Sequence, residues 1–275
     1  MSRWRQPITW LLLPLLCLAF GCRRGAGSTP PFEGDGGPSG PPTSPSWTDA
    51  FPALDGGGAG FALRFDGAKD YATAGDGGFP AANSAQTIEL WVNYPAAAAT
   101  ADFLVMRLDH SSGVQIGIHD GALAVWRTYV DRVLVSAPTL PAVSTWHHVA
   151  YTYDGTTETL YVDGVVADTE TNAGDTRTPT SVWLGTFDGS SELYKGELDE
   201  ARVWTIVRSA AEVVADMRHS PPGPVAGLVA YWTFDDTVSG GRALDASGSG
   251  NDVTLGDGIA ERMPTRVPSD APVGP

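Results

Sequence analysis

From Gly60 onward, short apolar runs alternate with Gly- and Asp-rich breaks, and the runs suit strands better than helices. The pattern is clearest from Trp146 to Asp168, W-H-H-V-A-Y-T-Y-D-G-T-T-E-T-L-Y-V-D-G-V-V-A-D. Tyr151 and Tyr153 fall on one side of the first run, Ala150 and Thr152 on the other, the period of two of a half-buried strand. Asp154-Gly155 opens a four-residue turn ending at Thr157. Asp163-Gly164 predicts a type I′ hairpin turn between Glu158–Val162 and Val165–Asp168, because both central residues of that turn need positive φ. Runs of the same kind cover Phe61–Phe65, Thr87–Val92, Phe103–Leu108, Val114–His119, Ala122–Thr128, Arg132–Ser136, Val182–Leu184, Glu197–Thr205 and Leu228–Phe234. Their spacing predicts an all-β, two-sheet sandwich or barrel. One helix interrupts it. Ser209-Ala210-Ala211-Glu212 reads as a capping box, Val213, Val214 and Met217 supply an apolar face, and Pro221-Pro222-Gly223 is the stop. Residues 259–275 show no periodicity and are expected to be a flexible tail beyond a domain at 59–258.

Composition narrows the partners. Gly 33, Pro 21 and only 18% charged residues fit many turns and little helix. The net charge of −15 excludes a nucleic-acid partner, since a polyanion would be repelled rather than gain from counterion release. An acidic surface fits both a calcium-binding extracellular domain and a merely soluble one. Both cysteines, Cys17 and Cys22, lie in the N-terminal segment, so the rest of the chain has no disulfide and no thiolate metal site.

Residues 1–21 read as an export signal. Arg3 and Arg5 form a positive start, and Ile8–Phe20 is an apolar run too short for an ordinary membrane span. Leu18-Ala19-Phe20-Gly21-Cys22 resembles the lipobox of bacterial lipoproteins, in which cleavage after a small residue frees a cysteine for diacylglycerol attachment. Gly21 and Cys22 match; Ala19 and Phe20 depart from the usual Leu and small residue. The alternative is an ordinary signal peptide with an incidental cysteine. Residues 22–58, rich in Gly, Pro and Ser, cannot bury enough surface to order themselves and fit either a tether from a lipidated Cys22 or a disordered leader.

Five stretches together resemble the LamG-like jelly-roll domain of the concanavalin A-like lectin/glucanase superfamily. They are Leu63-Arg64-Phe65-Asp66-Gly67 with Asp70-Tyr71; Thr87-Ile88-Glu89-Leu90-Trp91-Val92; Trp146-His147-His148-Val149-Ala150; Leu160-Tyr161-Val162-Asp163-Gly164; and Gly196-Glu197-Leu198-Asp199-Glu200-Ala201-Arg202-Val203-Trp204. The resemblance implies a two-sheet antiparallel jelly-roll sandwich with one short C-terminal helix. Leu228–Asp235 and the Asp245–Asp252 loop resemble a further family element, which is read as a strand closing the same sandwich rather than the start of a second repeat.

The resemblance also frames the chemistry. Glycosidases of the superfamily carry an E-x-D-x-E or E-x-D-x-x-E run on one strand. Here Glu197 and Asp199 begin such a run, but positions 201 and 202 are Ala and Arg, and alternation puts Glu200 on the opposite face. His147 and His148 are adjacent on a strand and cannot share a metal. The domain is therefore read as non-catalytic. Relatives often hold Ca²⁺ at a rim with oxygen ligands, which makes Asp66, Asp70 and Asp199 the candidate metal set. The Asp245–Asp252 loop has similar oxygen spacing, but Gly256 stands where a closing Glu belongs. Trp126, Tyr129 and Trp183 are candidates for sugar stacking, although such aromatics also serve as core. The expectation is an exported module at the cell envelope, lipid-anchored through Cys22 to the outer membrane or cell surface, or secreted if that cysteine is unmodified. It would recognise a glycan or an extracellular protein, with Ca²⁺ assistance in view. A structural or adhesive surface lipoprotein without a discrete ligand site is the alternative.

Overall fold

The computed structural model describes residues 60–75, 77–96, 99–109, 112–127, 132–171, 177–221, 224–236 and 241–274. The signal segment, Cys22, the tether and Tyr129 lie outside the described residues. The first strands are β1 (Gly60–Asp66), β2 (Ala72–Ala74), β3 (Gln86–Asn93), β4 (Ala101–Asp109), β5 (Ser112–His119), β6 (Ala122–Arg127), β7 (Arg132–Ser136) and β8 (His147–Tyr153). They are followed by β9 (Thr157–Val162), β10 (Val165–Thr171), β11 (Ser181–Leu184), β12 (Lys195–Trp204) and the helix α1 (Ala210–Asp216). The chain ends with β13 (Leu228–Trp232), β14 (Arg242–Ala243), β15 (Val253–Leu255) and β16 (Thr265–Ser269).

These strands build two antiparallel sheets. The first runs β10-β9-β8-β3-β12-β1-β16, with β13 also paired to β12; the second runs β14-β15-β2-β11-β4-β5-β6-β7. Side chains alternate as the sequence pattern requires. Leu63, Leu90, Val149, Tyr151, Leu160 and Leu198 of the first sheet meet Phe103, Met106, Ile116, Val125 and Val182 of the second in one apolar interior. The Asp163-Gly164 turn has the expected positive φ at both residues, 50° and 76°. The capping box is also present: Ser209 Oγ accepts from Glu212 N, and Glu212 accepts from Ser209 N. Val213 and Met217 are buried, whereas Val214 faces outward. No helix among the described residues is long and apolar enough to cross a membrane.

One expectation needs correction. Residues 259–275 are not a loose tail, because β16 pairs with β1, with Phe61 opposite Pro268 and Leu63 opposite Arg266. Proline at 268 is tolerated because this is an edge strand with a side free of pairing. The segment after it lays Ala271 and Val273 against Trp91 and Met217. Leu228–Phe234 does join the same sheet as β1, through β12. Leu228, however, packs with Trp204 and Tyr231 and not with Trp232 and Phe234, because a bulge between Val203 and Trp204 shifts the register.

Candidate functional site

The outward face of the first sheet is filled beneath α1. Arg202, fully buried, donates to Glu200 Oε2 (2.6 Å) and to the carbonyls of Asp216 (3.0 Å) and His219 (3.1 Å), and lies 3.8 Å from Glu89. Tyr231 donates its hydroxyl to Glu200, and Trp204 Nε1 donates to Glu89 (2.9 Å). His148 sits beside Glu89, and burial with the Arg202 charge pushes it down to about 3, so it is neutral. Glu200 does not point to the opposite face from its neighbours. A register shift between Asp199 and Arg202, with Glu200 at φ 52°, swings it onto the Arg202 side. The carboxylates that resemble a glycosidase run are thus spent on different structural partners.

The expected metal set is not brought together. Asp66 Oδ1 accepts from the amides of Ala68, Lys69 and Asp70. Desolvation pushes its pKa up, but these donors outweigh it and hold the carboxyl below the usual range. Asp70, raised by burial, accepts from Asp66 N (2.9 Å). Asp199 stands four positions along β12 from Lys195, the residue opposite Asp66, which puts it about 13 Å away. It is held by Ser269 Oγ and Glu200 N, and burial pushes it up to about 8. In the other acidic loop, Asp245 accepts from Tyr231 N, Ser247 N, Ser247 Oγ and Asn251 N, so protein donors occupy its carboxylate. Among the described residues, no three His, Cys, Asp or Glu side chains are grouped to hold a metal.

Two of the proposed stacking residues, Trp126 and Trp183, are packed against neighbours. Trp126 is 2% exposed with its ring 4.8 Å from that of His119. Trp183 stacks on Tyr71 at 5.4 Å, with the Arg107 guanidinium 4.9 Å from its ring. Both read as packing rather than as open platforms.

Open space lies at one end of the sandwich. A cleft of about 220 Å³ is lined by Arg64, Phe65, Asn93, Ser144, Lys195 and Glu197, together with Pro95 and Gly196. Beside it, sharing Pro95 and Lys195, a second hollow of about 140 Å³ lies among Tyr94, Ile118, Leu193 and Tyr194. Strand register creates the polar wall, since Arg64 and Asn93 are both directly opposite Glu197 on neighbouring strands. Arg64 donates from Nε and Nη2 to Glu197 Oε1 (2.9 and 2.6 Å), and Asn93 Nδ2 reaches Oε2 (3.3 Å). Gly196 is required here: a Cβ would come within 2.4 Å of Asn93 O and of the Tyr194 hydroxyl. That hydroxyl donates to the carbonyls of Asn93 and Glu197, fixing the floor between the hollows. The loop carrying Ser144 is pinned by Ser144 N to Tyr94 O, by the Tyr94 hydroxyl to Pro141 O, and by His147 between Asp163 and Ala142 O. The sequence reading singled out Glu197 but not Arg64, Asn93, Ser144 or Lys195, whose convergence depends on pairing across 133 and 104 residues.

Two antiparallel sheets closed over one apolar interior, with loop-walled clefts at one end, define a jelly-roll β-sandwich domain. The chain belongs to the Laminin_G_3 family of the Concanavalin A-like lectin/glucanases superfamily, whose model matches residues 66–214, more than half of the chain. Among solved structures it is similar to a Bacteroides ovatus protein for which carbohydrate binding is inferred (TM-score 0.60, 20% identity, 78% of this chain and 62% of that one). The chain thus spans less than two thirds of that protein's length. It is also similar to a heptameric SAP-like pentraxin from Limulus polyphemus (TM-score 0.51, 19% identity, 72% and 94% covered). Domain 4 of the Geobacillus stearothermophilus arabinanase AbnA, solved with arabinotriose, has a TM-score of 0.49 at 19% identity, with 56% of this chain and 75% of that one covered. These likenesses concern the fold. No curated protein matches the chain.

Proposed function

We propose that the protein is a non-catalytic recognition module for carbohydrate, exported and held at the cell envelope by a lipidated Cys22. The observation that carries the reading is the end cleft, where Arg64, Asn93, Glu197, Ser144 and Lys195 offer convergent donors and acceptors beside Phe65 and Pro95. Such a wall of fixed polar groups over an apolar base suits a polyhydroxylated ligand. Membership of a lectin/glucanase superfamily and the likeness to the Bacteroides protein support the same class. The non-catalytic part rests on the engagement of Glu197, Asp199 and Glu200 by separate protein partners. A glycan array of the full chain, run with Ca²⁺ and with chelator, tests the reading. Binding should weaken at least about tenfold in Asn93→Ala, a change in the wall worth about 1.4 kcal/mol. An array with no signal in either buffer would favour the structural or adhesive alternative. Anchoring has its own test: Cys22→Ala should move the protein from the detergent phase to the soluble fraction, since two acyl chains are needed for stable attachment.

A further inference from the structure

On the outward face of the second sheet, residues 185–194 form a folded strap. Its ends are closed by Gly185 N to Phe103 O (3.1 Å) and Tyr194 N to Gly185 O (2.8 Å). Inside it, Asp188 Oδ1 accepts from the amides and hydroxyls of Ser190 and Ser191, and Thr186 Oγ1 donates to Ser191 O. Phe187 is buried below it, 5.2 Å from the Arg107 guanidinium.

Beyond that closure at Phe103, the strap meets the sheet again where Glu192 lies beside Asp102. Asp102 on β4 is fully buried, and its amide donates to Glu192 O (2.9 Å). Gln115 Nε2 on β5 donates to both oxygens of Asp102 (3.2 and 3.1 Å) and also to Glu192 Oε2. The Asp102 and Glu192 carboxyls thus converge on one amide nitrogen. With Asp102 buried and Glu192 half-buried, two ionised carboxylates converging there repel; one proton between them turns the repulsion into a charge-assisted hydrogen bond. Burial, then the Glu192 charge and its hydrogen bond, hold the Asp102 carboxyl well above the usual range, with Asp188 adding to the rise and Gln115 opposing it. Among the described residues, the other charged or titratable groups on this face include Arg107, occupied with Trp183 and Phe187; His119, stacked on Trp126; and Tyr71, which stacks on Trp183, donates its hydroxyl to Asp257 and accepts from Arg262.

We propose that the 185–194 strap is clasped to the second sheet by a single proton shared between Asp102 and Glu192, and that alkaline pH unclasps it. The sign follows from linkage. A carboxyl whose pKa is raised on folding contributes stability at low pH, and that contribution is lost as pH rises through the raised value. The strap runs directly into Leu193, Tyr194 and Lys195 of the end clefts, so unclasping would alter their walls. The clasp itself does not depend on what those clefts bind.

Amide hydrogen exchange on the full chain tests this without any ligand. Protection factors for residues 186–193, corrected for the intrinsic pH dependence of exchange, should fall from mildly acidic to mildly alkaline buffer, by up to about tenfold per pH unit. Asp102→Asn and Glu192→Gln each replace the shared proton with an amide donor, and each should keep the strap protected across the range. Having both guards against one variant failing to fold. Flat protection in the wild type, or variants that lose protection as the wild type does, would overturn the clasp. Protection restored at alkaline pH by adding Ca²⁺ would also overturn it, since the carboxylates would then be holding an ion.

Discussion

At the scale of single residues, the motifs that stand out in the sequence mostly do structural work, and their surroundings explain why. Glu89, His148, Glu200, Arg202 and Trp204 belong to three separate stretches of the chain, yet they form one buried network under α1. Strand alternation alone misplaced Glu200, since a bulge is a backbone event that a period of two cannot reveal. Asp199 looked like a rim ligand and is a buried acid held by Ser269, its pKa raised by desolvation. Its folded pKa of about 8 lies above the ordinary carboxyl value of 3.8, so between those values the unfolded chain ionises while the folded chain keeps the proton. Stability supplied by this group is therefore complete at acid pH and is lost as pH rises through that window. Asp199→Asn should flatten that decline in denaturation midpoints measured across the window. A variant with the same alkaline loss as the wild type would assign the decline to other groups.

At the scale of elements, legibility tracked length and locality. The β8–β9–β10 meander could be read because its turns declare themselves in consecutive residues, and α1 because its capping box is local. The strands β2, β14 and β15 have three, two and three residues, too few to show alternation, and two of them lie among Gly, Ser and Asp. β16 escaped notice because Val267 is the one buried side chain in T-R-V-P-S. It still matters to the fold. β16 covers the edge of β1, and its Arg266 donates to Phe234 O, Asp236 and Arg242 O. Ending the chain after Pro264 would uncover β1 as an unpaired edge and remove the Ser269 donor from Asp199. The shortened protein should melt earlier and associate with rising concentration, which light scattering would detect. A monomer with unchanged melting would mean that the edge strand contributes little.

At the scale of the whole molecule, the extent of the folding unit is the open issue, because the family match stops at residue 214 while pairing continues to residue 269. Residues 224–274 give strands to both sheets, so they complete the sandwich rather than follow it. Ala230, Trp232 and Phe234 enter the shared interior with no exposure, joined there by Ala243, Val253 and Leu255. The junction is pinned by polar contacts too: Trp232 Nε1 donates to Asn251 O (2.7 Å), and Asn251 Nδ2 donates to Gly77 O (3.0 Å) and Val229 O (2.6 Å). The Asp245–Asp252 loop that resembled an ion site therefore serves as a brace between the two sheets. Each large buried side chain is worth roughly 1.5–3 kcal/mol, and the net stability of a domain is about 5–15 kcal/mol. Losing Trp232, Phe234, Val253 and Leu255 together removes an amount comparable to the whole. Truncation after Gly223 is thus expected to yield insoluble or non-cooperatively unfolding protein. A soluble truncation product with a cooperative transition at the wild-type temperature would place the end of the domain at α1 and leave β13–β16 as an appendage.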